Sequence, residues 1–489
     1  MRKSGILLAV SSIPSKYGIG TFSKEAYEFV DFLESAGQKL WQILPLGPTG
    51  YGDSPYQSFS TFAGNPYYID LEEFIEKGFL TEKECVESDF TDGAYVDYEK
   101  VFYTKFALLR KAYKNSNIKE EKEFQSFVKE NAKWLDDYSL YMAIKDSLGG
   151  ISWTEWEEDI KLRKALAMKA YREKLADDVA FYQFQQYYFS KQWSALKKYA
   201  NDKGIEIVGD IPIYVAFDSA DTWANPQLFQ FDKECKPIAV AGCPPDSFSA
   251  TGQLWGNPLY NWEYMKKTDY AWWIERIRYC YELYDIVRID HFRGFDEYYS
   301  IPYGDLTAEN GHWEKGPGYE LFQAIKSKIG KIKVIAEDLG FLTPSVIKLV
   351  EKTGYPGMKV LQFAFDSREE SDYLPHNYPK NSVVYTGTHD NDTTVSWYDS
   401  MSRHDRAFAK RYLDASNKNK ICEKMVRAAL GSVSDTAVIP MQDYLELGGE
   451  ARMNVPSTLG TNWKWRLLPG QATDELAQKI RIWTKLYGR

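Results

Sequence analysis

Short apolar runs recur along the chain, most of them rich in β-branched residues and many followed by a stretch with apolar positions at helical spacing. Eight of these runs have the length of buried strands: 5–10, 39–44, 206–211, 285–289, 333–336, 358–363, 382–386 and 436–441. The stretches 23–35, 268–283, 319–329 and 344–352 repeat apolar residues three and four apart, so they predict amphipathic crossover helices. Strand and helix in alternation imply a parallel sheet with right-handed crossovers, because a twisted strand followed by a helix packs back onto its sheet that way. Eight such units favour closure into a (β/α)8 TIM barrel of class α/β over an open sheet.

Such a barrel takes ~250 residues, or more than ~400 with insertions. The 489 residues therefore read as a single catalytic barrel over 1–489 with two large insertions. Segment 71–203 is rich in Lys, Glu and aromatic residues at helical spacing and has few Gly or Pro, which predicts a helical insertion subdomain between the second and third strands. Segment 212–265 is the opposite. It carries Pro226, Pro237, Pro244, Pro245, Gly252, Gly256 and Pro258, so an irregular active-site loop with little regular structure is expected there. Long ordered loops of that kind serve as lids or binding walls.

The formal net charge is −9 and no long basic run occurs, which argues against nucleic acid as a partner. Cys85, Cys235, Cys243, Cys280 and Cys422 are scattered without a C-x-x-C pair, neither a disulfide framework nor a zinc site. The first residues are basic and then briefly apolar, too short a run for a secretion signal and better read as the first strand. No run of about 20 apolar residues offers a membrane span. These features together read as a cytoplasmic protein, expected to be a monomer. Aromatic residues reach 16%, with 36 tyrosines. Most of that excess suits a large core. The remainder suits carbohydrate, since the apolar faces of sugar rings pack on aromatic side chains.

Three of the strands end in acidic patches: Arg288-Ile289-Asp290-His291, Ala336-Glu337-Asp338-Leu339-Gly340 and Thr388-His389-Asp390-Asn391-Asp392. An unpaired buried carboxylate would cost several kcal/mol, so three in such places predict strand ends converging on one acidic pocket. Residues two apart on a strand share a face. Arg288 and Asp290 accordingly point inward together, with the guanidinium favouring the ionised carboxylate, and an ionised carboxylate held in place can attack a sugar's anomeric carbon. A plain Arg–Asp pair filling a barrel layer is the bland alternative. Glu337 shares the inward face with Ile335. Beside an anionic Asp in a desolvated cleft its proton affinity rises, as a general acid needs. The alternative there is a helix N-cap or a charge pair at the turn, a role that fits Asp338 better. His389 and Asp390 suit sugar hydroxyls or developing positive charge. A metal site competes for that segment, but its spacing lacks the period of a calcium loop. Asp210, in Gly209-Asp210-Ile211-Pro212, is either a fourth inward carboxylate or, rather better, a structural partner of Arg288. In the Gly- and Pro-rich loop 47–57, Tyr51 and Tyr56 are placed to stack on sugar rings.

Together these stretches resemble the 4-α-glucanotransferases of glycoside hydrolase family 77, from Ser11-Ser12-Ile13-Pro14 to Asn462-Trp463. Asp53-Ser54-Pro55-Tyr56-Gln57, Gly242-Cys243-Pro244-Pro245-Asp246 and Gly252-Gln253-Leu254-Trp255-Gly256-Asn257-Pro258 carry the likeness beside the three acidic patches. The strand-end carboxylates occur across the wider α-amylase clan, whereas the proline-rich loop is more particular to this family. The resemblance implies that Asp290 is the nucleophile, Glu337 the general acid and base, and Asp390 the residue holding the donor sugar. It implies that Arg288, His389, Asp210 and Tyr56 line the donor site, and that Asp246, Gln253, Trp255 and Asn462 bind neighbouring glucose units. It implies maltooligosaccharides and other α-1,4-glucans as donor and acceptor, no cofactor and no metal, and no C-terminal β-sandwich domain, in keeping with the short stretch after the eighth strand. The reaction it implies is retaining transfer of a glucan segment to an acceptor 4-hydroxyl. An α-1,4-glucan hydrolase of the same clan, or a non-catalytic glucan-binding barrel, are the competing readings.

Overall fold

A computed structural model describes residues 2–50, 52–86, 93–245, 249–340 and 342–489; Tyr51 and Asp246 fall outside the described residues. Eight parallel strands close into a barrel: β1 (Lys3–Leu7), β2 (Leu40–Gln42), β3 (Glu206–Pro212), β4 (Ile286–Asp290), β5 (Val334–Ala336), β6 (Gly357–Val360), β7 (Ser382–Tyr385) and β8 (Thr436–Pro440). Each pairs with its successor in the chain, and β8 returns to β1 in the register Lys3↔Thr436 to Leu7↔Pro440. Strands buried on both faces need no polar alternation, and all four residues of β7 are buried. That is why the strands stood out as apolar runs.

Several strands are shorter than their apolar runs; the run 39–44, for one, keeps only Leu40–Gln42 in the sheet, and two others end in turns. The run 5–10 leaves the sheet after Leu7, and Val10–Ser12 forms a 3-10 turn. The run 358–363 leaves it after Val360, where Leu361–Ala364 winds into another. Both turns are largely buried, and apolarity reports burial, not pairing. Helices Lys24–Ser35, Ala271–Leu283, Tyr319–Ile329 and Pro344–Thr353 occupy the crossovers.

Between β2 and β3 the chain is helical, with Tyr98–Asn115, Lys122–Ser147 and Ala176–Asp202 as its long members. This unit grips the segment after β3. Trp153 Nε1 donates to the Phe217 carbonyl at 3.0 Å, Tyr141 Oη donates to Asp218 Oδ1 at 2.6 Å, and buried Lys145 forms an ion pair with Asp218.

Segment 212–265 corrects the expectation of an irregular loop. It contains the helix Ala220–Ala224 and the strands Ala239–Cys243 and Gln253–Pro258. Those two strands pair antiparallel, and a further two, Glu297–Pro302 and His312–Lys315, complete a four-stranded sheet beside the barrel mouth. The partners lie some 60 residues further along (Val240↔Ile301), so no local pattern announces them. Proline and glycine sit at the ends and bends of these strands, where ladder bonds are not needed. Among the described residues, β8 is followed by short turns and the helix Asp474–Leu486, with no further sheet. No helix of the described residues is long and apolar enough to cross a membrane.

Candidate active site

The register of β3 on β4 sets Asp210 beside Arg288. Arg288 donates from Nη1 to both Asp210 oxygens at 2.8 and 2.6 Å, and its Nη2 forms an ion pair with Asp290 Oδ1 at 2.9 Å. Asp210 is fully buried, while the Asp290 side chain keeps 31% of its surface open at the barrel mouth. Asp210 is thus both of the things weighed for it, an inward carboxylate and the structural partner of Arg288. The guanidinium is held rigidly by the buried acid and offers its other edge to the exposed one. Coulomb attraction to Asp210 and Asp290 raises the Arg288 pKa well above its ordinary value against the cost of burial.

Asp290 does not behave as the simple pairing argument expects. Burial pushes its pKa up, Arg288 pulls it back, and the balance remains above the ordinary aspartate value. Desolvation outweighs one cation when Asp210 and Asp390 add negative charge nearby.

Glu337 follows β5. The pairing Ile289↔Ala336, extended by one residue, sets it level with Asp290 on the adjacent strand. Its Oε2 accepts from His291 N at 2.7 Å and its Oε1 from Leu339 N at 2.9 Å. His291 adopts a left-handed conformation with φ 53°. That conformation is unusual for a side-chain-bearing residue, and the surroundings hold it at a cost of ~1–3 kcal/mol. Despite two backbone donors, the Glu337 carboxyl is pushed up to about 8, first by burial and then by the charge of Asp290. The neighbouring Asp338 is not a helix cap. Its Oδ1 accepts from Met358 N at 2.7 Å and ties the end of β5 to β6, while Thr343 caps the next helix.

Asp390 stands on the loop after β7. Asn454 donates Nδ2 to its Oδ1 at 2.6 Å, and Arg452 donates Nη2 to its carbonyl at 2.9 Å. His389 Nε2 lies 3.4 Å from Asp390 Oδ2 and 2.9 Å from Tyr56 Oη, and Tyr56 Oη donates to Asp210 Oδ2 at 2.8 Å. A phenol has one proton. With it given to Asp210, the Tyr56 oxygen accepts from His389 Nε2–H, which fixes the histidine tautomer. The Tyr56 and His389 rings also stack, with centroids 5.3 Å apart. Tyr56 thereby links the loop after β2 to the ends of β3 and β7. The other side chains of the β7 loop are engaged within it. Asn391 Oδ1 accepts from Thr388 N at 2.8 Å, and Asp392 Oδ2 accepts from Ser396 Oγ at 2.7 Å.

On the opposite wall, Gln253 and Trp255 lie two apart on their strand and face the same way, with Trp255 Nε1 donating to Gln253 Oε1 at 3.0 Å. The Trp255 ring meets His291 edge-on at 4.8 Å. Asn462 is buried and engaged inside its own loop, accepting from Val455 N at 3.0 Å and donating to the Thr458 carbonyl at 2.8 Å. The structure therefore brings Asp210, Arg288, Asp290, Glu337, Tyr56, His389 and Asp390 together, with Gln253 and Trp255 on the small-sheet wall. Sequence reasoning missed three contributors. Asn454 and Arg452 lie in a segment with no strand or motif to mark them. His291 was quoted as part of a motif, without a role.

A family model described as 4-alpha-glucanotransferase, glycoside hydrolase family 77, matches residues 8–471. The 4-alpha-glucanotransferase of Clostridium butyricum is 52% identical over 483 residues, covering 98% of this chain and 99% of that one. The 4-alpha-glucanotransferase of Thermus thermophilus is 47% identical over 491 residues, covering 98% and 97%. The amylomaltase of Streptococcus agalactiae, solved in complex with acarbose, matches over the whole of both chains with a TM-score of 0.97 at 42% identity.

Proposed function

Since the chain belongs to the 4-alpha-glucanotransferases of glycoside hydrolase family 77, we propose that it moves a segment of a 1,4-α-D-glucan to an acceptor 4-hydroxyl by two displacements at Asp290. The observation that carries this reading is a pair of level carboxyl groups with different partners, Asp290 against a guanidinium and Glu337 against two backbone N–H groups. Asp290 is paired to Arg288, and Glu337 is pushed up to about 8. Adjacent strands run ~4.8 Å apart, in keeping with the ~5–5.5 Å between carboxyl groups that a retaining reaction uses.

In the first displacement Asp290 attacks the anomeric carbon, and Glu337 gives its proton to the departing glycosidic oxygen. A glucosyl ester of Asp290 remains. In the second, Glu337 takes the proton of the acceptor's 4-hydroxyl as that oxygen attacks, and Asp290 leaves. Two inversions preserve the α configuration. Asp390, oriented by Asn454 and Arg452, holds the donor sugar's hydroxyls, and the Asp210–Tyr56–His389 chain lines the same site. Gln253 and Trp255 receive neighbouring glucose units, while Asn462 contributes by holding the 455–462 loop in shape.

Incubation with maltotriose alone tests the reading. A ladder of longer maltooligosaccharides with free glucose, at constant total reducing ends, is expected. Rising reducing ends, with glucose and maltose as the sole products, would send the intermediate to water and make the protein a hydrolase.

A further inference from the structure

We propose that a groove on the flank of the molecule, outside the barrel mouth, is a non-catalytic binding site for a segment of α-1,4-glucan. Its volume is about 450 Å³, within the ~300–1,000 Å³ of small-molecule sites. One wall is the helix Lys122–Ser147 through Glu130, Trp134 and Asp137; the other is the helix Ala271–Leu283 through Trp272, Glu275, Tyr279 and Glu282. The spacings of three and four put each set on one face of its helix. The floor is formed by Phe62 and the Ala220–Ala224 helix.

Phe62, Trp134, Tyr264, Trp272 and Tyr279 all line this groove, and all are only half-buried. Packing between the barrel and the insertion would bury such rings; here each keeps part of its surface open. Phe62 and Trp134 lie nearly parallel, 18° apart with centroids at 6.3 Å, and the edges of Trp272 and Tyr279 meet Phe62. The indole Nε1 of Trp272 is buried without a hydrogen-bond partner among the described residues.

The lining carries five carboxylates, Glu130, Asp137, Asp221, Glu275 and Glu282, against the two cations Lys133 and Arg278. Glu275 pairs with Lys133 at 2.8 Å and with Arg278, Asp137 pairs with Arg163 at 2.6 Å, and Asp221 accepts from Thr61 N at 2.8 Å and Thr61 Oγ1 at 2.9 Å. Burial pushes Glu282 toward its neutral form. Carboxylate acceptors therefore outnumber cations along the groove. Partly exposed aromatic rings edged with carboxylate and amide acceptors suit a polyol whose hydroxyls donate and whose ring faces are apolar, which is a sugar. The choice of an α-glucan among sugars rests on the proposed function. The segment that floors the groove continues into the wall of the catalytic cleft, since Ser60 lines both the groove and the pocket containing Tyr56 and Asp210.

The test is a maltoheptaose titration by calorimetry, on a background of Asp290→Asn to suppress turnover. Two classes of site are expected in that background. Trp134→Ala should weaken one class at least tenfold and leave the other unchanged. Should Trp134→Ala unfold the insertion, Gln227→Trp, at an exposed position on the rim, obstructs the groove instead and should remove the same class. A single class of site in the Asp290→Asn background would overturn the proposal. So would a second class that survives Gln227→Trp, or a groove that takes spermidine and not maltoheptaose. The maltotriose product assay on the unmodified protein is independent of these outcomes, so a failure of the catalytic reading would show there and nowhere in the groove titration.

Discussion

At the scale of single residues, the proposed reaction depends on two carboxyl groups in different protonation states. A general acid must carry its proton, and Glu337, the acid we propose, is raised to about 8, so it holds the proton below that pH and loses it as the pH rises through it. In the proposed reaction Asp290 must be ionised to attack. Its pKa is also raised, so the acid limb should lie above the range of an ordinary aspartate. The expected profile of kcat/KM is a bell whose alkaline limb falls near pH 8. Glu337→Gln should lower kcat for natural glucans by about 10²–10⁴-fold and flatten that limb. An alkaline limb unmoved in this variant would assign the titration to another group. Asp390 needs a different argument, because its orientation comes from Asn454. Removing that 2.6 Å bond leaves the carboxylate, among the described residues, with only the longer 3.4 Å contact to His389, and a misplacement of about 1 Å costs up to ~10²-fold. Asn454→Ala should therefore lower kcat by about 10–100-fold with an unchanged unfolding midpoint. A fall in the midpoint with kcat preserved would make Asn454 a purely structural residue. Asp290, Glu337 and Asp390 were legible in the sequence because each follows an apolar run that cannot bury an idle charge. Asn454 was not, since an amide on an irregular segment carries no period, and its importance exists only where the chain returns to the β7 loop.

At the scale of elements, strand register does what motif spacing cannot. Asp210 and Arg288 are 78 residues apart in sequence and meet because β3 and β4 pair as Asp210↔Arg288. That register depends on Gly209. A Cβ there would stand 2.2 Å from the ring of Tyr284, which is fully enclosed against the outer face of β3. Gly209→Ala must push the ring or the strand, and such overpacking costs about 1–3 kcal/mol. We expect a denaturant midpoint lowered accordingly, together with a loss of activity, since a shift of β3 moves the acid that grips Arg288. Full activity in a destabilised protein would show that the ring yields and the strand does not. The barrel strands were readable because each is a local apolar run between helical stretches. The small sheet was not, because its ladder joins 239–243 to 297–302 across the whole of β4, and its Pro and Gly residues look locally like loop.

At the scale of the whole molecule, the helical insertion and the wall of the cleft are joined through one carboxylate. Asp218 follows β3 and accepts from Tyr141 and Trp153 of the insertion while pairing with buried Lys145. A few residues upstream, Tyr214 packs against Trp255 and His291. The insertion therefore braces the side of the cleft on which Trp255 stands. Asp218→Ala would leave the Lys145 ammonium without its partner. Breaking a fully buried pair costs ~3–5 kcal/mol, and since a third of the Asp218 side chain is open to solvent the screened cost should be nearer ~2–3 kcal/mol. Urea unfolding measures that loss. The architecture also predicts where function fails first. Asp290 and Glu337 are fixed by barrel strands and do not depend on Asp218, whereas the Trp255 wall does. In conditions where the variant remains folded, KM for long maltooligosaccharides should rise several-fold with kcat on maltotriose nearly unchanged. An equal loss on short and long substrates would mean that the insertion supports the barrel itself and not the wall of its cleft.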